Sequence, residues 1–197
     1  MARLIFFDEK HEYQVDGEVL PSVSEITRFI SREVYGEVSQ FLLDNAAARG
    51  TAVHRATEAL DKYGQVEVDA DHEPYLQAYL KFRREHKVEW RKIEYATYHE
   101  SLRFAGTIDR YGLIDGTPCI VDIKTSSAIQ KALYGAQLNL YNMLLTQELL
   151  PVNKLYILHL KKDGEYKLVE IEVNPETANA CLALHRALQK KPRRKKA

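Results

Sequence analysis

The segment Phe104 to Thr125, FAGTIDRYGLIDGTPCIVDIKT, constrains the fold more than any other stretch of this chain. Two runs rich in β-branched and aromatic residues flank Asp115-Gly116, a dipeptide that strongly marks a two-residue hairpin loop. With those two residues as the loop, Asp109 lies directly opposite Asp122. Lys124, two residues further on, projects from the same face. Two carboxylates and one ammonium therefore share a patch of sheet. Like charges facing each other across a ladder are destabilising unless something cationic lies between them. A divalent metal beside Lys124 would supply that cation. The opposite face carries Ile108, Cys119, Val121 and Ile123, an apolar surface suited to a half-buried antiparallel ribbon. A slip of one residue would turn the carboxylates inward, so the pattern supports the register. Taken alone, the hairpin also reads as a solvated ribbon with scattered charges, which is the commoner case.

With 197 residues the chain is expected to form one domain with a sizeable core. Its 28% charged and 45% hydrophobic residues are ordinary for a soluble protein, no apolar run approaches a membrane span, and no signal peptide is evident. Cys119 and Cys181 are far apart and give neither a disulfide framework nor a zinc or iron–sulfur spacing. A reducing, cytoplasmic setting is the default expectation. The formal net charge is +0, so overall balance does not advertise a polyanionic partner. The basic run Lys190 to Lys196 and the smaller cluster Lys81 to Arg84 are the local exceptions, and a terminal basic run is usually a solubilising end.

Arg3 to Leu20 reads as a strand pair reversing at Asp16-Gly17. Ser22-Val-Ser-Glu25 matches a capping box and opens a short helix to about Ile30. A second helix is expected over Glu37 to Ala48. Gly50-Thr51 then interrupts the pattern, with Thr51 capping a third helix to about Tyr63. Asp71 to Pro74 opens a fourth, ending near His86. Beyond Trp90 three antiparallel strands are expected at Ile93 to His99, Arg103 to Tyr111 and Pro118 to Lys124. A helix from about Gln130 to Leu149 follows, then strands Lys154 to Leu160 and Glu165 to Val173, and a last helix from Pro175 to about Gln189. The expectation is an α/β (α+β) fold: a central mixed, mainly antiparallel sheet flanked by helices. Within it, 1–90 is expected to be the mainly helical N-terminal part, 91–175 the central sheet and helix that carry the candidate site, and 175–197 the last helix and basic tail.

Several polar residues could complete a site around the hairpin. His54 and Glu58 share one helix face at i,i+4, which reads either as an exposed polar pair or as a ligand and its neighbour. Gln137 and Tyr141 repeat that spacing beside the apolar stripe Leu133, Ala136, Leu140 and Leu144, where they are either boundary packing or hydrogen-bond donors toward a phosphate. Glu94, on the strand before the hairpin, is an exposed glutamate or a further carboxylate. Phosphate-binding Gly-Lys-Ser/Thr loops, Gly-x-Ser-x-Gly elbows and paired-cysteine zinc motifs are all missing from the sequence.

In order, His54, Gly106-Thr-Ile-Asp109, Asp122-Ile-Lys124 and Gln137-x-x-x-Tyr141 resemble the PD-(D/E)XK nuclease superfamily, and most closely its RecB-type exonuclease branch, which includes phage and CRISPR-adaptation exonucleases. The resemblance spans roughly Gly50 to Tyr141 and implies a restriction-endonuclease-like core. It implies that Asp109 and Asp122 are metal ligands, completed by the main-chain carbonyl of Ile123 and by His54, with Mg²⁺ or Mn²⁺ as the ion. Lys124 matches the lysine that orients the attacking water, Gln137 and Tyr141 match the branch's Gln-x-x-x-Tyr motif, and Glu94 matches its upstream strand glutamate; Glu58 is a further candidate. Isoleucine precedes Asp109 where the family name has proline. The four cysteines of some relatives are missing, so no iron–sulfur cluster is expected. The implied activity is metal-dependent hydrolysis of DNA, as an exonuclease on single strands or duplex ends, with a recombination or replication protein as a candidate partner. The alternatives are an endonuclease of the same fold, restriction or junction-cleaving, and a non-catalytic nucleic-acid-binding module.

Overall fold

The structure, a computed structural model, describes residues 3–7, 10 and 12–189; the basic run Lys190 to Lys196 lies outside the described residues. The chain begins with β1 (Leu4–Phe7), β2 (Glu12–Val15) and β3 (Glu18–Leu20), an antiparallel three-stranded sheet with the reversal at Asp16-Gly17 between β2 and β3. The expected strand pair is thus three strands. Four helices follow: α1 (Val23–Ile26), α2 (Arg28–Tyr35), α3 (Gln40–Tyr63) and α4 (Glu73–Glu85). Next come β4 (Val88–His99), β5 (Phe104–Ile114), β6 (Thr117–Lys124), α5 (Lys131–Gln147), β7 (Lys154–Leu160), β8 (Tyr166–Ile171) and α6 (Pro175–Gln189). The last five strands form one mixed sheet in the order β4-β5-β6-β7-β8, antiparallel except for the β6–β7 pair. A parallel neighbour demands a crossover, and α5 provides it.

The capping box forms as read: Ser22 N–H donates to Glu25 Oε2 (2.9 Å) and Glu25 N–H to Ser22 Oγ (3.1 Å). The helix it opens stops at Ile26, where the Thr27 hydroxyl turns back onto the Val23 carbonyl, and α2 carries on to Tyr35. The interruption expected at Gly50-Thr51 does not occur. The predicted helices over 37–48 and 51–63 are one helix, α3. A single internal glycine costs about 1 kcal/mol, and burial of Val53, Ala56 and Thr57 in the next turns outweighs it.

At the hairpin, Asp115 (φ 51°) and Gly116 (φ 81°) are both left-handed, as a type I′ turn requires. The pairing runs from Ile114↔Thr117 to Arg110↔Val121 in the register expected from the sequence, and stops one pair short of the expected Asp109 and Asp122. Two expectations fail. The ribbon is not half-buried, since helices cover both its faces. Ile108 also does not share a face with Val121 and Ile123. It packs with α5 in the core of Phe104, Tyr111, Ile120 and Leu140, whereas Cys119, Val121 and Ile123 join Val53, Tyr79 and Phe82 beneath α3 and α4. Alternation along β5 therefore slips by one residue at Asp109, where the β4 ladder also skips a pair between Ile93↔Arg110 and Tyr95↔Ile108. A third, smaller core of Tyr13, Val15, Leu20 and Ala105 docks the N-terminal sheet on β4 and β5. Among the described residues no helix is long and apolar enough to cross a membrane.

Candidate active site

The slip at Asp109 sets the geometry of the site. Opposite it, Glu94 adopts φ 46°, a left-handed conformation costing a non-glycine residue about 1–3 kcal/mol. The result is that side chains of β4, β5 and α3 converge. His54 Nδ1 lies 3.6 Å from Asp109 Oδ2 and 3.7 Å from Glu94 Oε1. One ligand atom from each of His54, Glu94 and Asp109 fits within a 4.8 Å group. The peptide of Ile123 joins them from β6: its N–H donates to Asp109 Oδ2 (2.7 Å) and its carbonyl oxygen is 3.0 Å from His54 Nε2. Burial alone would lower the pKa of His54, but the charges of Asp109 and Glu94 outweigh it and raise the value to about 9. An imidazolium thus stands beside the two carboxylates.

Asp122 and Lys124 lie next to this group. Lys124 Nζ is 2.6 Å from Asp122 Oδ2, although that buried oxygen has no partner in hydrogen-bond geometry. Burial raises the pKa of Asp122; Lys124 opposes the shift and Asp109 adds to it. Lys124, desolvated but flanked by Asp122 and Asp109, is held more strongly protonated than a free lysine. Its ammonium also sits 5.1 Å over the ring of Tyr134. From α5, Gln137 Nε2 donates to the Tyr141 hydroxyl (3.3 Å). Burial, followed by the charges of Asp122 and Asp109, lifts the pKa of Tyr141 well above the ordinary value, so its O–H stays a donor. Gly106 admits that ring: a Cβ there would lie 2.8 Å from Tyr141 Cε1 and 3.0 Å from Val23 Cγ2.

These residues line one cleft of about 570 Å³. Helix α3 forms one wall with Gly50, Thr51, His54, Arg55 and Glu58, and Phe6, Tyr13 and Ser22 to Ser24 form another. All of the side chains singled out from the sequence face it: His54, Glu58, Glu94, Asp109, Asp122, Lys124, Gln137 and Tyr141. They do so in different groupings from those expected. Glu94 joins the compact trio, whereas Asp122 stands outside it on Lys124, and Glu58 is taken by Lys62 at 2.6 Å.

Sequence reasoning missed Arg110. Its guanidinium is fully buried and donates to Asp61 Oδ2 (2.7 Å), Glu94 Oε1 (3.0 Å), the Asp109 carbonyl (2.7 Å) and Thr57 Oγ1 (3.2 Å). Asp61 also accepts from Tyr79 Oη (2.5 Å) and from Arg83. The signal was available: the register that sets Asp109 opposite Asp122 sets Arg110 opposite Val121, a charge on the apolar face.

The donor set fits a hard divalent cation. Two carboxylates and one imidazole lie close together, a main-chain carbonyl adjoins them, and a third carboxylate, Asp122, stands nearby on Lys124. Three carboxylates face Lys124 and the protonated His54, and Arg110 meets Glu94 from behind, so the charges balance only while His54 keeps its proton.

Residues 69–195, more than half of the chain, match the PD-(D/E)XK nuclease superfamily, and the chain belongs to that family. The matched span contains Glu94, Asp109, Asp122, Lys124, Gln137 and Tyr141 but not His54. The fold is similar to that of a protein from Eubacterium rectale assigned as an exonuclease, with 16% identity over 85% of this chain and 77% of that one and a TM-score of 0.53. An alkaline exonuclease from Laribacter hongkongensis aligns at 16% identity over 85% of this chain and 88% of its own, with a TM-score of 0.39. Among curated proteins no relative matches the sequence.

Proposed function

We propose that this nuclease-family chain hydrolyses DNA phosphodiester bonds with a bound Mg²⁺ or Mn²⁺, as a RecB-type exonuclease on single strands or duplex ends. The observation that carries the reading is the His54–Glu94–Asp109 group set against the Asp122–Lys124 pair at the floor of one cleft. Asp109, Glu94 and His54, with Asp122 and the Ile123 carbonyl, would hold the metal. A metal bound there would lower the pKa of an attacking water and neutralise charge on the phosphate. The remaining roles fall to the chain itself. Lys124, held protonated and fixed over Tyr134, orients the water and offsets charge that develops on the phosphoryl oxygens. Gln137 and Tyr141 present donors to a phosphate oxygen. The walls formed by α3 and by the N-terminal sheet support entry of one strand or a frayed end.

The reading includes one domain, a cytoplasmic setting and a recombination or replication partner. An endonuclease of the same fold remains the second reading, because nothing in the described cleft closes off passage of a continuous strand.

The test offers labelled linear and circular DNA, single- and double-stranded, and matched RNA, with Mg²⁺, Mn²⁺ or EDTA. Metal-dependent loss of linear DNA with circles intact is the expected result. Cleavage of circles would replace the exonuclease by the endonuclease, and inertness toward every substrate with either metal would sink the enzymatic reading.

A further inference from the structure

A fully buried arginine needs a reason, because desolvating its charge costs several kcal/mol unless every donor is met. Arg110 has four partners, and they divide into two kinds. Asp61, Thr57 and its own neighbour's carbonyl at Asp109 fix the guanidinium: Asp61 has an exposure of 1% and is itself anchored by Tyr79 and Arg83. The fourth partner, Glu94 Oε1, belongs to the trio, and the Glu94 side chain is 23% exposed and lines the cleft. Glu94 sits on a left-handed backbone that no local sequence preference would choose. The rigid guanidinium is the group that meets its carboxylate there.

We propose that Arg110 is a positioning residue for metal binding: anchored by Asp61 and Thr57, it aims the Glu94 carboxylate at His54 and Asp109. One carboxylate oxygen bears the guanidinium bond, and the carboxylate keeps further lone pairs for an ion. Partners that orient metal ligands from behind typically account for about 10–100-fold in metal affinity. The division of labour also explains why the trio can form inside a strand ladder that skips the Glu94–Asp109 pair. This inference rests on the metal-dependent reading of the cleft.

Calorimetric titration of the whole protein with Mn²⁺, without nucleic acid, separates the two. A wild type that binds no Mn²⁺ would overturn the metal-dependent reading and this inference with it. If the wild type binds, Arg110→Lys should raise the Mn²⁺ Kd by about 10-fold or more while retaining the native circular dichroism. Glu94→Gln should also weaken binding, and the double variant should lose less than the product of the two single losses, because Arg110 acts through Glu94. Arg110→Gln, which keeps an uncharged amide donor group, serves if the lysine variant does not fold, and is read the same way. A folded Arg110 variant with unchanged Kd overturns the inference, as do losses that multiply fully with Glu94→Gln.

Discussion

Two clusters of charge adjoin along α3, joined by the Arg110–Glu94 bond, and they are built to opposite specifications. Beneath α3, Arg110, Asp61, Arg83, Tyr79 and Thr57 form a set closed but for the Arg110–Glu94 bond, in which the Asp61 and Arg110 side chains meet opposite charge directly. On the cleft side, Glu94, Asp109 and Asp122 face Lys124 and a histidine that must be protonated to balance them. The closed set is complete as it stands, and removing a member leaves a buried charge unpaired. The open set is balanced only by the His54 proton, which a metal ion would displace. Burial alone therefore does not mark a site; what separates the clusters is that one is balanced by permanent guanidinium charges and the other by a proton on His54.

That contrast can be broken at either end. The largest effect is expected from Asp61→Ala, which strands Arg110: unfolding by urea should show a loss of about 3–5 kcal/mol, typical of a broken buried ion pair. A loss below 1 kcal/mol would show that the set is not closed in solution. Lys124→Ala on the open side should reduce DNA cleavage by about 10²–10³-fold, the usual effect of removing one charge-stabilising group, and cost less in urea than Asp61→Ala, because the buried Asp122 it strands can take up a proton. Gly106→Ala places a methyl against Tyr141 and should cost about 1–3 kcal/mol through overpacking, read as a lower thermal midpoint.

The open set should also betray itself by pH. In the metal-free protein the pKa of His54 is raised from 6.5 to about 9, so its contribution to stability is complete below pH 6.5 and fades as pH rises through 9. Wild-type stability should fall across that window more steeply than that of His54→Gln. Metal takes the neutral imidazole, so Mn²⁺ binding at pH 7 should release protons, detected as buffer-dependent heats in calorimetry. The smallest effect belongs to Glu58→Gln: Glu58 pairs with Lys62 rather than the trio, and Mn²⁺ affinity should stay within about twofold.

Much of this arrangement was legible in the sequence. The bounds of β7 and α6, the Ser22 capping box and the register of the hairpin all follow from local chemistry: turn residues, caps and alternation. The failures share a physical cause. Gly50-Thr51 looks like a break because propensity is local, but tertiary burial of Val53 and Ala56 holds α3 together. The slip at Asp109 leaves no mark on the hydrophobic pattern, since apolar residues occupy both faces of β5. For the same reason Ile108 was given the wrong partners, and Glu94 looked like an exposed strand residue. Asp61 and Arg110, 49 positions apart, become a pair only once α3 packs on the sheet.

The proposed metal-binding group draws on positions 54, 94 and 109, and the Lys124 and Tyr141 side chains complete the cleft from further along the chain. No short segment contains it, so an unfolded or partly folded chain offers nothing comparable for a divalent ion to hold. An ion with that selectivity acts as a ligand of the native state, stabilising it by about 2.7 kcal/mol at a hundred times its Kd. The supply of free metal around the protein would then set its lifetime against unfolding and proteolysis as well as its turnover, and a shortage would remove idle molecules rather than merely silence them.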